Sequence, residues 1–244
     1  MDSKVNRIRG KYMSQSIRVL SAGAAESLIG RIAEDFTSQI GIRVDASFAG
    51  VGVLMERIEA GADADIVVLT QPAIAVLQSR GLTDGTTPVN IGAVATSLAV
   101  KTGHPSFNVH DSHDLQAALR RADAIYVPDF ATTTAGQHMQ RVLQTLGLHG
   151  ELGARLWFAP NGAAAMRALA LAQEACPLGC SQASEIVAAR GTTFVADLPS
   201  PFSLSSSYAM ALLDRAQSAQ AAHRFIDAVT GASAASVRKA CGFR

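Results

Sequence analysis

Flat rings are scarce in this chain of 244 residues, which holds one Trp, three Tyr and nine Phe. So few aromatics offer no platform on which successive bases could stack. Neither sign of charge prevails: 21 Lys and Arg face 20 Asp and Glu, for a formal net charge of +1. No basic stripe or acidic tail points to nucleic acid or to an anionic membrane surface. No run approaches the roughly 18 apolar residues of a membrane span, so no membrane insertion is expected. Residues 1–12 are polar and basic, without an apolar core or a small-residue cleavage site, unlike a secretory signal. A cytoplasmic location is therefore expected, or a periplasmic one if a leader was removed. Residues 1–16 are expected to form a disordered extension.

Cysteine is also sparse. Cys176, Cys180 and Cys241 make an odd count, and the first two are spaced neither as a redox C-x-x-C pair nor as a zinc knuckle. Small buried thiols in a reducing compartment are expected. No His, Asp or Glu cluster has metal-ligand spacing, and no phosphate-binding Walker loop or nucleophile elbow occurs. Neither a metal nor a cofactor is expected.

What is present is apolar content, 48% of residues, ample for a sizeable core. Short apolar runs alternate with helix-length periodic stretches, the mark of an α/β fold. Strands are expected at 17–20, 43–48, 65–69, 91–100, 124–127, 155–158, 178–181, 193–196 and 208–213. Helices are expected at 27–40, 53–60, 72–80, 114–121, 135–146, 163–174, 184–190, 216–230 and 234–240. Gly41, Gly61, Gly81, Gly147 and Gly191 fall just past periodic runs, where a helix ends most easily in a left-handed residue.

Two turns of small residues stand where strands hand over to helices: Gly23-Ala24-Ala25 and Gly50-Val51-Gly52. Gly and Ala let the backbone approach a ligand, and free N–H groups at a helix start attract anions. Thr132-Thr133-Thr134 opens a later helix, and its hydroxyls either clamp a carboxylate or simply cap the helix. Asn161-Gly162 precedes another helix and carries the same alternatives, and Gln182, after a later strand, is a candidate to hydrogen-bond a carboxylate. Thr70 ends a strand and either touches the ligand or caps the helix after it. Ser184 and Glu185 read as cap and first-turn residues that suit the helix dipole. Glu26 lies in the first turn of its helix, where a carboxylate repels an anion unless it is protonated or turned away. It is either a capping residue or an acid/base. His138, one turn into its helix, is the other candidate base.

These segments carry a resemblance. Ser47-Phe48-Ala49, Glu59-Ala60-Gly61-Ala62-Asp63-Ala64-Asp65-Ile66, Thr134-Ala135-Gly136, Ala168-Leu169-Ala170-Leu171 and Pro177-Leu178-Gly179 resemble the molybdate-binding proteins of ABC uptake systems. The resemblance implies a type II periplasmic-binding-protein fold, with a ligand cleft between two lobes. It places lobe one at 17–92 and 202–244 and lobe two at 93–201, with the long strand near 91–100 crossing between them. In that family two serine hydroxyls and a tyrosine hold the oxyanion, and the corresponding positions here are Ala24, Val51 and Gln182. Each lost hydrogen bond to a charged acceptor is worth about 1.5–3 kcal/mol, so an unsaturated di- or tricarboxylate suits this site better than molybdate. The chain is also similar to a divergent branch that includes aconitate isomerase. That likeness implies a cofactor-free isomerase performing an allylic proton shift, with Glu26 or His138 as base. The alternative is a solute-binding protein or sensor for molybdate or another oxyanion, with a permease as partner.

Overall fold

Strands and helices alternate throughout residues 16–244, the residues that the computed structural model describes. The expected extension at 1–16 lies outside them except for Ser16, which opens the first strand. In order the elements are β1 (Ser16–Ala22), α1 (Glu26–Ile40), β2 (Arg43–Ala49), α2 (Val51–Glu59), β3 (Ile66–Thr70) and α3 (Gln71–Ser79). There follow β4 (Val89–Lys101), α4 (Ser112–Arg121), β5 (Ala124–Pro128), α5 (Thr134–Thr145), α6 (His149–Leu152) and β6 (Leu156–Ala159). The last are α7 (Gly162–Ala170), β7 (Pro177–Gln182), α8 (Ala183–Ala188), β8 (Thr192–Asp197), β9 (Ser205–Leu212), α9 (Ala219–Thr230) and α10 (Ala235–Ala240). The five helix-ending glycines all take positive φ.

The strand order is β2-β1-β3-β9-β4-β7-β5-β6, with β8 paired to β4. Strand β4 is the longest, and it serves two groups of strands. Its residues 89–95 pair antiparallel with β9, and residues 96–101 pair with β7 and β8. The structure is thus two-lobed, with β4 passing from one half to the other. Residues 93 and 244 exchange backbone hydrogen bonds of 2.8 and 2.9 Å beside this crossing.

Each half has its own core on both faces of its strands. In the first, Ile17, Leu28, Ile29 and Phe36 pack with Met210 and Phe225 on one face, and the Phe36 and Phe225 rings meet edge to face at 5.2 Å. Leu54, Leu69, Ile74 and Leu77 fill the other face. In the second half, Leu98, Leu115, Val127, Met139 and Leu178 form one core and Tyr126, Met166, Leu169 and Ile186 the other. Phe202 packs with the second half, although the expected division begins lobe one at that residue.

Two helices start or stop at least three residues from expectation, each beside a local hydrogen bond. The run expected to be helical over 163–174 ends at Ala170, and Lys101 Nζ donates to the Ala172 carbonyl at 2.6 Å. The helix expected from residue 216 starts at Ala219, because the N–H groups of Gln217 and Ser218 donate to Asp65 Oδ1 at 2.8 and 3.0 Å. Helix α6 is an addition that sequence periodicity does not show.

Asp65 is fully buried, and its Oδ2 also accepts the Arg18 N–H at 2.8 Å. One carboxylate therefore ties β1, β3 and the start of α9. Asp65→Ala leaves three backbone donors without a partner, each costing about 1–3 kcal/mol when buried. We expect a loss of at least about 3 kcal/mol, read as a lower urea midpoint with unchanged slope. A loss below 1 kcal/mol would show that water replaces the carboxylate.

Candidate functional site

Four strand-to-helix turns converge on one crevice between the halves. Ala22, Gly23 and Ala24 line it from the end of β1, and Ala49, Gly50 and Val51 from the end of β2. Opposite them stand Pro128, Thr133, Thr134 and Ala135 after β5, and Asn161 and Gly162 before α7. Gln182, Glu185 and Tyr208 complete the wall. Such a crevice, outside the carboxyl ends of strands, is where α/β sheets bind ligands.

The two sides differ in how their helices are capped. Neither α1 nor α2 has a side-chain cap, so the turns at Gly23–Ala25 and Gly50–Val51 present backbone donors and the positive ends of helix dipoles. On the facing side, Thr133 Oγ1 accepts the Gly136 N–H at 3.1 Å and donates to the Asp129 carbonyl at 2.6 Å. Thr132 turns away from the crevice: its hydroxyl and its N–H both donate to Asp129 Oδ1, at 2.6 and 2.8 Å. The Thr132 hydroxyl holds the Asp129 carboxyl below its ordinary range. Asn161 Oδ1 caps α7 by accepting the Ala164 N–H at 2.9 Å. Gln182 and Glu185 form the reciprocal capping box of α8, and the Gln182 amide reaches the Val94 and Ala95 carbonyls at 3.2 Å.

The halves touch directly. Gly52 N–H donates to the Thr132 carbonyl at 3.0 Å, and a Cβ on Gly50 would lie 2.6 Å from that same oxygen. Two expected ligand residues, Gly52 and Thr132, are thus engaged with each other across the closed crevice.

Glu185 dominates the electrostatics. It is 8% exposed, and its Oε2 accepts the Ser181 hydroxyl at 2.5 Å and the Gln182 N–H at 3.3 Å. Burial raises its pKa against these hydrogen bonds, and the nearby Glu26 carboxylate pushes the same way. Tyr208 is buried where β9 pairs with both β3 and β4. Burial, then the charge of Glu185, raises its phenol, while a hydrogen bond with Thr134 opposes.

The structure brings together Gly23, Ala24, Gly50, Val51, Thr133, Thr134, Asn161, Gly162 and Gln182 at the crevice. Ala25 is buried in the core beside it, and Thr70 pairs with Tyr208 in the sheet without lining it. The two residues expected as bases do not line it either. Glu26 lines an adjoining cavity of about 460 Å³ that also touches Gly23, Arg167, Glu185 and Arg190. His138 Nε2 donates to the Phe202 carbonyl at 2.7 Å, and burial lowers its pKa. Glu185 and Tyr208 are the site residues that sequence reasoning missed. The chain holds only three tyrosines, and one that opens an apolar strand is the signal that was there to be read, since a buried phenol needs a polar partner.

No spacing in the sequence suggested a metal, yet Asp111, His113 and Asp114 bring ligand atoms within 4.8 Å of one another. Both carboxylates are occupied in capping α4, accepting the Asp114 and His110 N–H groups at 2.8 and 3.0 Å. All three thiols are free; Cys180 and Cys241 are buried and Cys176 half-buried. Burial pushes the Cys180 thiol up to about 12.

Known proteins share this fold. The family model described as bacterial extracellular solute-binding protein matches residues 17–244. The molybdate-binding protein ModA of Escherichia coli (strain K12) is 28% identical over 229 residues, covering 93% of this chain and 88% of its own. An aconitate isomerase of a Pseudomonas species is 23% identical, covering 94% of this chain and 87% of its own. The solved periplasmic molybdate-binding protein of Azotobacter vinelandii aligns with a TM-score of 0.77 at 18% identity, over 93% of this chain and 98% of that one. With its whole two-lobed body inside the family match, the chain belongs to the bacterial extracellular solute-binding proteins.

Proposed function

We propose that this protein is a receptor for a small oxyanion or carboxylate, held between its lobes and passed to a membrane permease. The observation that carries the reading is the pair of uncapped helix starts, α1 and α2, facing the Thr133–Ala135 and Asn161–Gly162 turns across one crevice. Backbone donors arranged this way suit a compact anion. Size supports the same choice, because the closed crevice leaves only about 20 Å³, close to the room one or two waters need. The lobes are taken as 17–92 with 202–244, and 93–201.

The expected isomerase activity has less support. Its candidate bases, Glu26 and His138, stand away from the crevice, and the isomerase relative is the less similar of the two curated ones. A cytoplasmic location finds no support among the relatives: the family description says extracellular and the Azotobacter protein is named periplasmic. We therefore place the protein outside the cytoplasm.

A thermal-shift panel of molybdate, sulfate, phosphate and the aconitate isomers tests the reading. A ligand at 100 times its Kd adds about 2.7 kcal/mol of stability. A clear upward shift is expected with at least one inorganic oxyanion. Shifts with aconitates alone, together with their interconversion by NMR, would replace the receptor by the isomerase.

A further inference from the structure

Glu185 puts a carboxyl group into a crevice otherwise built to attract negative charge. Its two oxygens are treated differently. Oε2 is held by the Ser181 hydroxyl and the Gln182 N–H. Oε1 lies 3.0 Å from where a Gly23 Cβ would stand, and Gly23 and Glu185 both line the crevice. The Ala163 N–H, at the start of α7, also donates to the carboxyl. Glu26 on α1 adds like charge, Tyr208 on β9 is a neutral phenol, and Ser181 on β7 is a neutral donor. Arg167 on α7 and Arg190 beyond α8 border an adjoining cavity that Gly23 and Glu185 also line. An ionised Glu185 and an anion bound in the narrow crevice would meet as like charges.

We propose that Glu185 makes binding proton-linked: the crevice accepts an oxyanion together with one proton, shared between the Glu185 carboxyl and a ligand oxygen. An anion that carries a proton near neutral pH, such as hydrogen phosphate, can supply that proton itself. A fully ionised anion such as sulfate or molybdate must draw the proton from solvent. The raised affinity of Glu185 for its proton agrees with this. The inference rests on the receptor reading above and adds a proton linkage to it.

Isothermal titration calorimetry in buffers of different ionisation enthalpy counts protons directly. At a pH where Glu185 is ionised in the unliganded protein, wild type is expected to take up about one proton per sulfate or molybdate, and its affinity should fall there by about tenfold per pH unit; at lower pH both effects should vanish. Phosphate, which brings a proton, should show smaller uptake near neutrality. Glu185→Gln keeps the shape and offers a permanent donor, so its affinity for sulfate or molybdate should be flat with pH and its proton uptake nil. Anion binding to wild type with no proton uptake and no pH slope anywhere between about pH 5 and 9 would overturn the proposal while leaving the receptor intact. If none of the three anions binds wild type, the receptor reading itself fails and takes the proposal with it. The proton count on wild type decides the matter even where the variant does not fold.

Discussion

Gly162→Ala is expected to abolish ligand binding, lowering affinity by more than about 100-fold and removing about 1–3 kcal/mol of stability. A Cβ at this position would overlap the Glu185 carboxylate and the Ser181 hydroxyl. Either the carboxylate is driven into the crevice or α7 backs away from β7, and both outcomes spoil the anion site. The backbone itself makes no demand for glycine there, since φ at Gly162 is not among the positive values; the requirement is steric. Gly150→Ala on α6 is the control, because a Cβ there meets nothing within 4 Å. Titration calorimetry and urea melts on the pair read the two effects separately. Unchanged affinity in Gly162→Ala would mean that the ligand is held elsewhere.

Gly50→Ala should weaken binding by about 10- to 100-fold while leaving the fold nearly as stable as before. The new methyl group meets the Thr132 carbonyl at 2.6 Å and Thr133 Cγ2 at 3.1 Å, both across the crevice. Overpacking of this kind costs about 1–3 kcal/mol, and here the cost exists only when the lobes are closed. The protein escapes it by opening and giving up the hydrogen bond from Gly52 to Thr132. The equilibrium moves toward the open form, and apparent affinity drops with the fraction of closed molecules. Small-angle scattering should show a larger radius of gyration for Gly50→Ala than for wild type without ligand. Equal radii and equal affinities would show that closure does not involve this contact.

Much of this site is legible in the sequence because its parts are local. A strand followed by Gly23-Ala24-Ala25, or by Gly50-Val51, announces a helix start at which the backbone is open to a ligand, and both turns line the crevice. The same is true of Thr133 and Asn161, where capping and crevice lining prove to be two uses of one residue. What spacing along the chain does not reveal is which turns meet across a gap. Glu185 reads correctly as a first-turn residue, though the cap is Gln182 and not Ser184, but its second oxygen lies near the Gly23 turn, more than 150 positions away in sequence. From sequence, the rule that a carboxylate in an anion site must be protonated or turned aside falls on Glu26. In the structure Glu26 is the one turned aside, and Glu185 is left to satisfy the rule. Tyr208 escaped for a related reason: the face a strand residue presents depends on register with β3 and β4. In the family pattern a tyrosine stands where Gln182 stands here, and the ring at this crevice arrives instead from β9.

The passage of β4 between the halves also sets an order for folding during synthesis. Every residue of the core around Leu98, Met139 and Leu178 lies between 98 and 202, so that half is complete once a single continuous stretch has emerged. The core around Ile17, Leu28 and Phe36 needs Met210, Phe225 and Phe243 as well. The segment made first is thus the one finished last, and β1 and β3 must wait with one flank of their sheet open until β9 arrives. Such waiting edges invite mispairing with other chains. On a ribosome or at a translocation pore, the first lobe is the half most in need of a chaperone.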